Sequence, residues 1–428
     1  MSNLYKGVLQ MQKYVTDTNR NKNVEDFQMR DELIATLKNR FTTYGYRQVR
    51  TQTFEYYDMY TDIIGTVNKD EMIKVIDTTG KVLVLRPDVT IPITRITAAN
   101  QNSNDFNQRL FYVLDVFRQA GGLPNQKEST QAGVEFFGEN TPEVDSEVIM
   151  LAIHTLKDLG FKNFKIEIGH AGFFKELVQQ AALSEQELDQ LQTLIQSKNL
   201  GEIELLLKDL PIENELKTAI QSIPMLYGEP ASVIQQAEKS ILSNQMQLVL
   251  QNLIDVYKVL EDYGVTDNIA FNLGLINNMN YYSGIIFQGF ADNIGQPVVM
   301  GGRYDNLGKQ FDHEMPAIGF AFEVDFLLLA IQQQGRANSR DQEIDAIIYY
   351  TKEKQKEALT TASELRNQNY QVLTFSKEAV SLKSLPSRYI VIYENEENIV
   401  INQDNDKKQP FLEMNELTSL LDDIKEDL

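Results

Sequence analysis

The stretch RLFYVLDVFRQAGGLPNQKESTQAGVEFFGE, from Arg109 to Glu139, carries the strongest indication of the fold class. Residues 109–117 and 132–138 within it are rich in β-branched and aromatic side chains, and so is the run KVLVL at 81–85. Runs of this composition and length are typical of β-strands. Because they follow one another along the chain, the sequence predicts an antiparallel sheet in this part of the molecule.

The composition is that of an ordinary globular protein. The chain has 428 residues, of which 42% are hydrophobic and 24% are charged. Since one hydrophobic core seldom serves so long a chain, we expect two or three domains. The sequence has no apolar run long enough for a signal peptide or a membrane span. We therefore expect a soluble, cytoplasmic protein that does not contact a membrane.

Charge and the scarcity of metal ligands disfavour several functions. The 40 basic and 61 acidic side chains give a formal net charge of −21, which repels a phosphate backbone unless a basic patch is segregated. There is no cysteine, and the three histidines are widely separated. Neither a disulfide framework nor a zinc site is predicted. We expect no cofactor and no metal, and the charge balance disfavours binding of tRNA.

Helices are predicted on both sides of the first strands. Residues 24–41 place apolar side chains three and four positions apart, as an amphipathic helix does, and Gly45 ends that helix. From 173 to 262 the sequence is rich in Gln, Leu and Glu, with a capping box at Ser184 and Glu187. The apolar face predicted for the first helix consists of Phe27, Leu33, Ile34, Leu37 and Phe41.

The second half predicts a return to strands, a linker and a small final domain. Strand-like runs reappear between 268 and 305, and the polar segment from Gln332 to Glu343 is typical of a linker. The runs IDAIIYY, YQVLTF and RYIVIY then alternate with a helical pattern. The expected domains are a core formed by residues 1–172 and 263–331, a helical insertion at 173–262, and an α/β domain at 341–428.

Four segments together resemble the catalytic domain of class II aminoacyl-tRNA synthetases of the histidyl type. They are YGYRQVRTQTFEYYDMY at 44–60, LRPDVTIPITRI with the stretch 109–139, NMNYYSGIIF at 278–287, and GGRYDNLGKQF with PAIGFAFEVDFLL at 301–328. The resemblance spans roughly residues 25–330. It implies an α+β fold, with an antiparallel sheet flanked by helices, and self-association as a dimer through the first segment.

The resemblance also implies a histidine site. It places Asp88 and Gln131 by the α-amino group of the amino acid, and Arg118 near its carboxylate. It places Glu135 and Tyr282 by the imidazole, with Tyr281 on the same wall. Asp88 is shorter than the glutamate usual in the synthetases. An alternative stays open for Arg118 and Glu135, which would also fit a structural ion pair between neighbouring strands.

Several positions depart from the synthetase pattern in ways that remove its chemistry. Asn277 stands in place of the catalytic arginine, Phe326 in place of an ATP-binding arginine, and Ser129 in place of a phenylalanine that stacks on adenine. If each lost charge costs roughly 3 kcal/mol in the transition state, two remove about four powers of ten in rate. Residues 341–428 also carry 10 basic and 18 acidic side chains, a poor surface for an anticodon.

A synthetase fold that keeps its amino-acid pocket resembles the regulatory subunits of short-form ATP phosphoribosyltransferase. The resemblance implies a non-catalytic, allosteric subunit, needed for activity and for histidine feedback in the first step of histidine biosynthesis. Its partner is the short catalytic subunit, typically in a hetero-octamer. Histidine, as effector, binds either in this pocket or at a surface shared with the partner. The alternatives are a divergent histidyl-tRNA synthetase and a synthetase-like scaffold or sensor protein.

Overall fold

The computed structural model describes most of the chain, which divides into two compact units between residues 337 and 338 of the sequence. The following account covers residues 24–61, 68–100, 107–119, 126–181, 183–208, 210–276, 281–292, 294–334, 344–377, 387–394 and 397–422. No helix in these ranges is both long enough and apolar enough to cross a membrane.

The first part of the larger unit contains the helices and strands that frame its main sheet. In chain order they are α1 Val24–Thr43, β1 Arg47–Gln48, β2 Phe54–Tyr56, β3 Lys74–Ile76, β4 Val82–Leu85, α2 Thr90–Ala99, β5 Gln108–Phe117, β6 Glu128–Phe137, α3 Pro142–Asp158 and β7 Phe164–His170. Helix α1 matches the predicted amphipathic helix, and Leu37 and Phe41 are fully buried. Phe27 is 67% exposed, however, so the predicted apolar face does not reach the first turn.

A helical stretch follows β7 and packs on the sheet. Its elements are α4 Ala171–Ala181, α5 Glu185–Gln196, α6 Leu200–Lys208, α7 Asn214–Ser222, β8 Tyr227–Gly228, α8 Pro230–Ala237 and α9 Asn244–Asp262. The capping box at Ser184 and Glu187 is confirmed. Leu191 and Leu253 belong to the same hydrophobic cluster as Ile168 of the sheet. The helices thus share a core with the sheet, and their designation as a separate domain stays a prediction.

The main sheet is completed by β9 Ile269–Asn272, β10 Ile285–Ala291, β11 Val299–Arg303 and β12 Ala317–Glu323, followed by α10 Val324–Gln333. Its nine strands run in the order β1-β5-β6-β12-β11-β10-β7-β9-β8. Only β1 with β5 and β7 with β9 pair in parallel. The predicted fold class is confirmed, with a mixed sheet flanked by helices.

Two details of the sequence prediction are wrong in the larger unit. The run KVLVL forms β4, which lies in a separate three-stranded sheet with β2 and β3 and does not join the main sheet. The predicted linker starts too early, because Gln332 and Gln333 still belong to α10. Residues 335–343 of that linker lie outside the described residues.

The smaller unit is a five-stranded sheet with two helices. Its elements are β13 Ile344–Tyr350, α11 Gln355–Asn367, β14 Val372–Ser376, β15 Ser387–Glu394, β16 Glu397–Asn402, β17 Lys407–Phe411 and α12 Met414–Asp422. The strand order is β14-β13-β15-β16-β17, with the first three strands parallel. The three predicted strands are present, whereas the antiparallel β16 and β17 were not predicted from their more polar sequence.

Candidate functional site

One face of the main sheet carries a cavity of about 400 Å³, called the first cavity below. Its floor comes from β6 and β12, and its walls from the segments 86–90 and 281–286. All six residues for which a histidine-binding role was expected line this cavity, although most of them are far apart in sequence: Asp88, Arg118, Gln131, Glu135, Tyr281 and Tyr282.

Strand register explains why the floor is polar. Side chains two apart on a strand point to the same face, so Gln131 and Glu135 of β6 project together. Across the ladder, Gln131 pairs with Glu323 of β12, and Glu135 pairs with Gly319. A Cβ atom at Gly319 would lie 2.0 Å from Oε2 of Glu135. A glycine on β12 therefore provides the space that the Glu135 carboxyl occupies.

Glu135 is the most deeply placed polar group of the cavity, with 2% of its surface exposed. Its Oε1 accepts a hydrogen bond of 2.6 Å from the hydroxyl of Thr90, and its Oε2 accepts one from the hydroxyl of Tyr304. Burial raises the pKa of this carboxyl to about 8, against the lowering effect of the two hydrogen bonds. The group therefore exchanges its proton close to neutral pH.

Three tyrosine rings form the wall above Glu135. Tyr281 stacks on Tyr304 with 5.3 Å between ring centroids, and it meets Tyr282 edge to face at 4.9 Å. Burial and the charge of Glu135 raise the pKa of the Tyr282 hydroxyl, which stays protonated as a donor. The carbonyl oxygen of Tyr282 accepts a 2.6 Å hydrogen bond from Nζ of Lys175, which fixes this segment on α4.

Asp88 and Arg118 add charged groups to the lining of the cavity. Oδ1 of Asp88 accepts a hydrogen bond of 2.8 Å from the backbone N–H of Ile91, in the first turn of α2. Nε of Arg118 donates to the carbonyl oxygen of Pro87 at 2.9 Å. Arg118 and Glu135 thus have different partners, and the alternative of a structural ion pair between them is wrong.

Two neighbouring side chains of the segment GGRYD have different roles, since Arg303 forms a structural ion pair and Tyr304 lines the first cavity. Arg303 is 2% exposed, and its Nε donates to Oδ1 of Asp145 at 2.9 Å. Its guanidinium therefore forms a buried ion pair with a residue of α3. Tyr304, the next residue, donates to Glu135 on the other side of the strand. Only one of these two neighbours can meet a ligand in the cavity.

A second cavity, of about 310 Å³, adjoins the first. The two share Arg118, Gln288, Met300 and Glu323. Ser129 and Phe326, two of the positions that depart from the synthetase pattern, line the second cavity. Asn277, the third such position, lies outside the described residues. The substitutions that replace ATP contacts in the resemblance are therefore next to the first cavity and outside it.

The cavity residues that the sequence analysis did not name include three that form side-chain hydrogen bonds in the site, namely Thr90, Tyr304 and Glu323. Each lies inside a segment that was singled out, and the alternation of β12 offered one signal, because Gly319, Ala321 and Glu323 share a face. Their partners are 45, 169 and 192 positions away in sequence. Such pairings follow from strand order, which the sequence patterns did not predict.

The charges of the first cavity favour a small cationic or zwitterionic ligand. Asp88, Glu135 and Glu323 bring three carboxyl groups, and Arg118 brings one guanidinium. Buried carboxylates need cations or N–H donors, which an ammonium group and a ring N–H of a ligand would supply. One carboxylate on the same ligand would pair with the guanidinium of Arg118. Among the described residues, no group of three or more His, Cys, Asp or Glu side chains is arranged to hold a metal ion.

Comparison with known proteins places this fold and cavity in a class. A family model described as Histidyl-tRNA synthetase matches residues 20–327. The solved histidyl-tRNA synthetase from Nostoc sp. PCC 7120 superposes with a TM-score of 0.79, over 97% of this chain and 99% of that one. At 16% identity that likeness is one of fold alone. The protein is therefore a class II synthetase-like protein of the histidyl type.

Relatives with higher sequence identity identify the family. The ATP phosphoribosyltransferase regulatory subunit of Oceanobacillus iheyensis is 49% identical over 377 residues, covering 88% of this chain and 92% of that protein. A solved structure from Bacillus halodurans C, described as an ATP phosphoribosyltransferase regulatory subunit/histidyl-tRNA synthetase, is 30% identical with a TM-score of 0.76, covering 85% of this chain and 92% of that one. The chain belongs to the family of ATP phosphoribosyltransferase regulatory subunits, as predicted from a synthetase pattern that keeps its amino-acid pocket and departs at Asn277, Phe326 and Ser129.

Proposed function

We propose that this chain is the non-catalytic regulatory subunit of a short-form ATP phosphoribosyltransferase and that it binds histidine in the first cavity. The observation that supports this ligand is the buried Glu135 carboxyl beneath a wall of tyrosines. An imidazole has apolar faces and two polar nitrogens. Its faces pack against Tyr281 and Tyr282, while a ring N–H donates to Glu135.

For the regulatory role, it is enough that the interface with the catalytic subunit has two arrangements and that histidine binds one of them with higher affinity than the other. The effect of histidine on the catalytic partner and the effect of that partner on histidine affinity are then equal by linkage. In this proposal the chain self-associates as a dimer through residues 44–60 and joins catalytic subunits in a hetero-octamer in the cytoplasm. It carries out no aminoacylation, and tRNA is not its partner.

The experiment measures formation of phosphoribosyl-ATP by a short-form catalytic subunit, with and without this chain, across a histidine titration. We expect this chain to activate the partner and histidine to suppress the activated rate. Glu135→Ala should keep activation and lose at least 30-fold in sensitivity to histidine, because a buried donor–acceptor set is broken. Glu204→Ala, an exposed carboxylate on α6, is the matched control and should leave both unchanged.

Two outcomes would contradict the proposal at different points. Absence of activation would remove the regulatory role, and histidine-dependent pyrophosphate exchange by the chain alone would then favour a divergent synthetase. Activation with full histidine suppression in Glu135→Ala would keep the role and move the effector to another surface, such as one shared with the partner.

A further inference from the structure

Glu323 lines both cavities, and the resemblance assigns it no contact with histidine. It is the last residue of β12 and pairs directly with Gln131 of β6. Nε2 of Gln131 donates a hydrogen bond of 2.6 Å to Oε1 of Glu323. Strand register and this bond together fix the carboxylate beside Gln131 in the lining of the first cavity.

The surroundings of Glu323 call for a positive partner. Burial raises the pKa of this carboxyl, and Asp325 acts in the same direction, while the hydrogen bond from Gln131 and the charge of Arg118 lower it. A carboxylate has about four lone-pair sites, and Gln131 donates to one of its two oxygens. A partly buried carboxylate of this kind is stabilised by a cation that donates further hydrogen bonds.

Asp88 and Glu323 face the same space. Both residues line the first cavity, together with Glu135 and the buried Tyr112. Asp88 is the short carboxylate whose Oδ1 accepts from the start of α2. Glu323 therefore adds an anion at the end of the cavity where an anion for the α-amino group is expected.

We propose that Glu323 binds the α-ammonium group of the ligand, together with Asp88 and Gln131, and so makes the first cavity selective for an amino acid over its deaminated analogue. This inference rests on the proposed histidine site. The ammonium group has three N–H donors, which match the carboxylates of Asp88 and Glu323 and the amide oxygen of Gln131.

The test compares two ligands by calorimetry on the full chain. Histidine is titrated against 3-(imidazol-4-yl)propionate, which keeps the ring and the carboxylate but lacks the ammonium group. Glu323→Gln keeps an oxygen that accepts the hydrogen bond from Gln131, so the fold is preserved. We expect this variant to lose at least about 10-fold in affinity for histidine and less than about twofold for the propionate, because one charged hydrogen bond is removed.

The control is Glu128→Gln, which removes the same charge from the second cavity only. It should change neither affinity by more than about twofold, since its carboxylate does not line the first cavity. Unchanged histidine affinity in Glu323→Gln would overturn the inference, and so would an equal loss for both ligands, which indicates a structural role through Gln131. If the unmodified chain does not bind histidine at all, the proposed site fails first and this inference fails with it.

Discussion

The first and second cavities share part of their lining and differ in their other residues, which are hydrogen-bonded carboxyl groups in the first and include Ser129 and Phe326 in the second. In the first, Glu135 has two hydroxyl donors and Asp88 has a backbone donor. In the second, Ser129 and Phe326 occupy positions where the synthetase pattern has contacts to ATP. In the proposed function, recognition of an amino acid and the chemistry of the synthetase pattern therefore depend on two adjoining cavities, so that one could change without the other.

Packing explains why the second cavity could change at little cost to the fold. Phe326 is 9% exposed and belongs to the main hydrophobic cluster. Burial of such a side chain contributes about 2 kcal/mol to stability. An arginine at this position would instead have required an ion pair or a bound phosphate. A phenylalanine at position 326 thus makes apolar contacts within the core, whereas loss of Glu135 would leave Thr90 and Tyr304 without this acceptor.

The largest expected difference concerns the chemistry of the second cavity. Histidine-dependent ATP–pyrophosphate exchange by this chain should be at least about 10⁴-fold slower than that of a working histidyl-tRNA synthetase, since two cations and an adenine contact are replaced. Phe326→Arg alone should not restore exchange, because Ser129 is unchanged. The active synthetase in the same assay is the control. Exchange by this chain within tenfold of the rate of that synthetase would contradict the inference that the substitutions remove its chemistry.

The next prediction concerns the pH dependence of stability, through Glu135. Its folded-state pKa of about 8 lies above the ordinary value of 4.5. Between these values the folded state holds a proton that the unfolded state has lost, so the free energy of unfolding falls as pH rises through this window. The fall should exceed that of Glu135→Gln by up to about 5 kcal/mol. Chemical denaturation from pH 4.5 to 8.5 measures it, and parallel curves for the two proteins would disprove it.

A smaller effect is expected from the glycine beneath the carboxyl. Gly319→Ala would bring a Cβ atom 2.0 Å from Oε2 of Glu135 and 2.4 Å from the carbonyl oxygen of Val134. We expect a loss of about 2 kcal/mol in the free energy of unfolding, since neither neighbour can move freely.

The control for this variant is Gly201→Ala, in the exposed face of α6. A Cβ there would meet no atom within 4 Å, so the variant should be unchanged or slightly more stable. Denaturant unfolding of both variants measures the difference. Equal stability would show that the floor of the first cavity is looser than its geometry indicates.

Local sequence patterns predicted the elements that are rich in apolar side chains. Helix α1 followed from its apolar spacing, and strands β5, β6, β13 and β15 followed from their β-branched and aromatic runs, all within a few residues. Strand β4 was predicted as a strand but assigned to the wrong sheet, because periodicity does not encode which strand is the neighbour. Strands β16 and β17 were missed because Asn, Lys and Gln dilute their apolar pattern.

The candidate site was predicted only where a motif carried it. The resemblance led to six residues that line one cavity, yet it did not distinguish Arg303, which forms a structural ion pair, from Tyr304, which faces Glu135. Nor did it single out Glu323, whose position opposite Gln131 depends on the register of β6 with β12. Pairings between strands that are distant in sequence are tertiary contacts, and the local patterns of a single sequence do not reveal them.

The smallest predicted effect concerns one hydroxyl in the tyrosine wall. Tyr282→Phe keeps the ring that packs edge to face on Tyr281 and removes only a donor. Histidine affinity should fall about 10-fold, or roughly 1.4 kcal/mol, with little change in thermal stability. Tyr349→Phe, whose ring stacks on Phe375 in the smaller unit, controls for loss of a tyrosine hydroxyl as such. If both variants bind histidine as the unmodified chain does, Tyr282 contributes a surface to the first cavity and no hydrogen bond to the ligand, and recognition of the ring must rest on Glu135.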